Sequence, residues 1–273
     1  MNKLILVSIS IVLTTFSFGL NPSKDYAVLP SDFEMAYEEI SIPTTDGLKL
    51  KGWYFKPKIP SQHVVILSDD GNGNMSDLLE QVGLFLSLNY NVITYDYRGF
   101  GQSDSFRISN KFFIYTKFVE DLQSTINYAT TTYNNVRRVI LYGIGIGAGL
   151  SVCVGAAESK VVYIISDSPY SSFEDIKKRI KEVKGEDILL PIGHDKIKIE
   201  PKYALEVRAS TAKVKILYIC GGDDEICTSK DIKMLIKIRP VTSSSFIVKG
   251  ADASNTYSVD KESYYEKIRA FLK

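Results

Sequence analysis

"VILYGIGIGAGLS", residues 139–151, holds three structural cues in one short stretch. Its opening residues are apolar and partly β-branched, as a short buried strand requires. Glycines at 143, 145 and 147 then turn the chain where side chains would obstruct it. The small residues that follow, from Ala148 to Ser151, open a helix. Strand, glycine turn and helix form the repeating unit of a parallel layered fold, and the flanking sequence repeats the unit on both sides.

Upstream, "HVVILSDD" and "YNVITYDY" read as buried strands; downstream, "KVVYIISDS", "VKILYICGG" and "SSSFIVKG" read the same way. Apolar residues at helical spacing separate them at residues 75–88, 118–128, 148–157, 171–183, 230–237 and 261–272. Ser171 or Ser172 supplies the cap that starts the helix after "KVVYIISDS". "YEEISIP" and "LKLKGWYFKP" flank Thr45-Asp46-Gly47 and predict a hairpin. The expected fold is α/β: a mostly parallel eight-stranded sheet with an antiparallel start and helices on both faces. Residues 184–200, with Gly185, Pro191, Gly193 and His194, break the rhythm and predict a small cap insertion. In such sheets ligands bind outside the carboxyl ends of the strands.

The 273 residues carry 33 basic and 32 acidic side chains, a formal charge of +1, so neither a nucleic-acid nor an anionic-surface partner is indicated. The apolar share of 45% is enough for one substantial core spanning residues 20–273. Residues 4–20 contain no charge and end in Ser17-Phe18-Gly19, which predicts an export signal cut after Gly19. If uncut, the segment is long enough to anchor the chain in a membrane. The three cysteines read as unpaired buried thiols, although Cys220 and Cys227 would pair if the loop between them folded back. No Cys/His spacing predicts a metal, and no cofactor is expected.

"DGLKLKGWYFKP", "ILSDDGNGNMSD", "YDYRGFGQSD", "DSPYSSFEDI" and "YICGGDDEIC" occur in an order and spacing that resembles the α/β-hydrolase superfamily, most closely its serine aminopeptidase and acyl-hydrolase branch. The similarity runs from Asp46 to Leu272. It implies a Ser-Asp-His triad, with the serine on a sharp strand-to-helix turn. The matching positions here are Gly145, Asp224 and Asp252, so only the acid is intact. The family's His-Gly after the third strand reads Asp70-Gly71. The resemblance also implies an oxyanion hole at the backbone N–H groups of Asn72 and Ile146.

Only His63 and His194 are available as bases. His63 starts a strand whose far end carries the site, roughly 23 Å away at about 3.3 Å per residue. His194, in the cap, is a candidate for the ligand pocket together with Asp70. The expectation is therefore a fold without serine-hydrolase chemistry that binds a small acyl or peptide ligand, or a protein partner through the cap. Two alternatives stand beside it. One is a hydrolase with an unorthodox constellation. The other is a dinucleotide loop formed by Gly143-x-Gly145-x-x-Ala148, with Asp167 as the ribose-binding acid. Asp70, Asp224 and Asp252 converge if the resemblance holds, and close carboxylates must spread, protonate or meet a cation.

Overall fold

The computed structural model describes residues 19–208 and 213–273; the predicted export segment, residues 1–18, lies outside the described residues. Eight strands form one sheet: β1 (Glu38–Pro43), β2 (Lys49–Phe55), β3 (His63–Ser68), β4 (Asn91–Tyr95), β5 (Arg138–Ile144), β6 (Val161–Asp167), β7 (Lys215–Gly221) and β8 (Ser243–Val248). Their spatial order is β1-β2-β4-β3-β5-β6-β7-β8. β2 pairs antiparallel with β1 and β4, and every other neighbouring pair is parallel. This is the expected eight-stranded sheet with an antiparallel start.

The central strands are nearly continuous apolar runs because both faces of the sheet are covered. Alternate residues go to opposite sides. Val64, Ile66, Leu141 and Ile164 pack in one core with Leu122, Ile126 and Leu150 of the helices α2 (Lys117–Thr132) and α3 (Ile146–Gly155). Val65, Leu67, Ile140 and Ile165 pack in the other, against Val82 and Phe85 of α1 (Leu79–Ser87) and Ile268 of the C-terminal helix (Lys261–Phe271). The helix expected over residues 75–88 begins as a 3-10 turn, Met75–Leu78, because Asn74 caps it by accepting from the Ser76 N–H.

Beyond β6 the chain enters α4 (Phe173–Lys184), and its cap is Ser172, which accepts from Asp175 N. The cap insertion follows, held by a bridge between Phe112 and Leu189 and containing the single-turn α5 (Lys196–Ile199). The remaining helices are α6 (Pro201–Arg208), α7 (Ser229–Ile238), α8 (Thr256–Val259) and α9 (Lys261–Phe271), the last being the C-terminal helix above. No helix among the described residues is long and apolar enough to cross a membrane. Cys153, Cys220 and Cys227 are all buried and free.

Two features tie the loops together. Arg98, 1% exposed, follows β4 and sends Nε to Asp121 Oδ1 at 2.8 Å and Nη1 to Asp46 Oδ2 at 2.7 Å. It thereby fastens the β1–β2 turn to α2. At the N-terminus, Asn21–Pro22 pairs in parallel with Asn72–Gly73, and the Leu20 N–H donates to Phe112 O at 2.9 Å. Leu20 is 1% exposed, so the expected cut after Gly19 falls beside a residue of the folded core.

Candidate functional site

The carboxyl ends of the central strands open into a cavity of 670 Å³, within the range of small-ligand sites. Gly145, Asp224 and Asp252 line it together, as do Asp70, Asn72 and Ile146. Residues far apart in the chain meet here because parallel strands deliver all their exit loops to one edge.

Gly145 follows β5 and has φ 54° and ψ −115°, a left-handed turn that costs most residues energy and glycine very little. Its N–H donates to Asp167 O at 3.0 Å, and α3 begins at the next residue. The flanking glycines are fixed by contact. A Cβ on Gly143 would lie 2.2 Å from Gly147 O, and one on Gly147 would lie 2.4 Å from Ser68 O. A Cβ on Gly145 itself would meet Asp70 Cβ at 3.0 Å, tight but close to tolerable. The sharp elbow is therefore intact in its backbone, and it carries only hydrogen at its apex.

Asp224 lies beyond β7. Its Oδ1 accepts from the N–H groups of Ile226 and Cys227, each at 2.8 Å, while its buried Oδ2 has no hydrogen-bond partner. Burial raises the Asp224 pKa against those two donors, and the charge of Asp252 raises it further. Asp252, in the loop after β8, accepts from Ser254 N and Oγ through Oδ1.

Asp70 changes the expected oxyanion hole. Its Oδ1 accepts the Asn72 N–H at 2.8 Å, so one of the two implied donors is already bonded to a carboxylate. Asp70 keeps surface access at the cavity, yet the protein packed around it pushes its pKa up to about 6.

Two sequence expectations do not fit this geometry. His194 does not line the cavity: its Nε2 is 3.7 Å from Glu200 Oε1 and its ring faces Phe173, because the cap chain turns it toward the start of α4. Asp167 is not available to a ribose. It is 1% exposed, and Thr256, Tyr264 and Ser168 all donate hydroxyls to its carboxylate. The glycine loop lies against β3 instead, in the middle of the sheet. His63 begins β3, at the end opposite Asp70, as the strand count requires.

Sequence reasoning missed one contributor. Leu20, from the predicted export segment's edge, forms part of the wall, and no local pattern in the sequence signals that. Ser168 lines the cavity at φ 53°, with Oγ donating to Asp167 Oδ1 at 3.1 Å. Among the described residues no three His, Cys, Asp or Glu side chains gather as a metal site.

The raised carboxyl pKa values carry a pH signature. An acid whose pKa is higher folded than unfolded binds protons more tightly when folded. Its stabilisation is complete below the unfolded value, about 3.9, and is lost as pH rises through the folded value. Asp70, at about 6, therefore contributes more stability at pH 5 than at pH 7.5, opposed by His63, whose pKa burial lowers. Urea unfolding at both pH values should show that gain, and Asp70→Asn should reduce it. An equal gain in the variant would remove Asp70 as its source.

The fold that carries this site is the α/β-hydrolase fold. Within it, the family model described as serine aminopeptidase, S33, matches residues 60–184, which include the elbow and Asp70. The Bacillus subtilis (strain 168) protein YqkD is 24% identical over 255 residues, covering 90% of this chain and 82% of YqkD. The Arabidopsis thaliana α/β-hydrolase domain-containing protein WAV2 is 24% identical over 78% of this chain and 70% of its own. Among solved structures, the Pyrococcus furiosus esterase Pf2001 superposes with a TM-score of 0.74 at 19% identity, covering 93% of this chain and 97% of the esterase.

Proposed function

We propose that this chain is an exported α/β-hydrolase-fold protein that binds a small acyl or peptide ligand in its cavity and does not hydrolyse it. One observation carries the reading: the elbow keeps its left-handed backbone while residue 145 has no side chain to attack with. The base position supports it. Asp252 holds the position where the resemblance implies the base, its charge acts on Asp224, and among the described residues no histidine lines the cavity. Loss of a triad serine or histidine costs about 10⁶-fold in kcat in subtilisin. An intact Asp224 does not compensate for that. The apolar part of the lining, including Ile144, Ile146 and Tyr170, suits the body of a small ligand.

A fluorophosphonate probe tests the proposal. The purified protein is expected to remain unlabelled and to leave p-nitrophenyl esters intact. Labelling would favour a hydrolase with an unorthodox constellation, and mass spectrometry would name its nucleophile. Ser168 is the residue to look for, because its buried hydroxyl already lies in the lining.

A further inference from the structure

Charge in the cavity is one-sided. Among the described residues lining it, Asp70, Asp223, Asp224, Asp252, Glu186 and Glu225 supply six carboxylates, and Lys184 supplies the one ammonium group. The whole chain is nearly neutral, so this concentration is local.

A second, independent feature belongs to one of these acids. Asp224 is 8% exposed, and its Oδ2 is buried without a hydrogen bond. A carboxylate oxygen shut away from water costs free energy until a donor reaches it. Where the superfamily resemblance implies a histidine to donate to this acid, the chain has Asp252, which repels it. Arg179, the cation whose charge reaches this acid, is engaged with Asp231 and Ile226 O. The same lining also includes the apolar side chains of Phe113, Ile146, Ile176 and Ile226.

We infer that the cavity selects a ligand bearing a primary or secondary ammonium group on an apolar body, with the ammonium donating to Asp224 Oδ2 and held by Asp252. The inference rests on the non-hydrolytic reading above and gives its ligand a chemical class. The ligand brings the positive charge that the missing imidazole no longer supplies. A free carboxylate ligand is rejected twice. It meets the acidic wall, and it finds the Asn72 N–H already bonded to Asp70.

Three probes of equal length separate charge from apolar burial: n-hexylammonium, hexanol and hexanoate, each titrated calorimetrically into the full chain at pH 7.5, with calcium as a fourth arm. Hexylammonium is expected to bind at least about tenfold more tightly than hexanol, as a charged hydrogen bond supplies, and hexanoate more weakly than either. Asp252→Asn, at an exposed position, should weaken hexylammonium about tenfold and leave hexanol unchanged. Equal binding of hexylammonium and hexanol would overturn the inference, as would tighter binding of hexanoate or no binding of hexylammonium. Calcium raising the melting temperature where hexylammonium does not would also overturn it, in favour of a metal site. None of these results involves fluorophosphonate labelling, so failure here and failure of the non-hydrolytic reading are separately visible.

Discussion

Gly145→Ser combined with Asp252→His is expected to raise p-nitrophenyl acetate hydrolysis by about 10²–10³-fold over the parent protein, a fraction of what a full triad contributes. The backbone at 145 already has the φ of 54° and ψ of −115° that project a side chain into the cavity. Serine in this conformation costs on the order of 1–2 kcal/mol, which a fold of this size tolerates. A histidine at 252 would share the cavity with Asp224, whose Oδ2 has no partner and is expected to orient it. Gly145→Ser alone should give no measurable gain, because Asp252 cannot draw the hydroxyl proton as an imidazole does. Asp70 then becomes the limiting residue. Its carboxylate takes the Asn72 N–H, and one oxyanion donor is worth about 10²–10³-fold in kcat. Adding Asp70→His, the residue the resemblance implies there, should therefore raise the rate again. A folded double variant with no hydrolysis above the parent would show that 252 is not the base position.

Arg98→Ala is expected to lower the unfolding free energy by about 3–5 kcal/mol, the usual effect of removing one member of a buried ion pair. Arg98 is 1% exposed and Asp121 is 0% exposed, so the carboxylate left behind would have no water to turn to. The loss would also release Asp46 and with it the β1–β2 turn. Arg98→Lys should recover little, since one ammonium cannot serve two carboxylates in the fork geometry of a guanidinium. Urea denaturation measures both. A loss below about 1 kcal/mol would place this cluster among the weak surface pairs.

Much of this architecture was legible from residues alone. The alternation of apolar strands and helical patterns defined the sheet, and "YDYRGFGQSD" carried the resemblance that Arg98 makes physical. The elbow was readable too, because glycines at 143 and 147 are required by backbone contacts whatever stands at 145. What escaped the sequence depended on side-chain direction. Position in the chain put His194 near the site, but only the path of the cap decides that its ring turns to Glu200 and Phe173. The Asp70–Asn72 bond escaped for a similar reason. It is a two-residue loop contact whose consequence lies in the donor it occupies.

The two-residue ladder between Asn21–Pro22 and Asn72–Gly73 makes the segment just after Gly19 part of the cavity's frame. A chain beginning at Leu20 keeps that residue as a wall of the cavity; one beginning three residues later, at Ser23, would lose the wall and both rungs of the ladder together. A cut placed at one or another of these neighbouring peptide bonds would thus decide between a closed cavity and a loosened one.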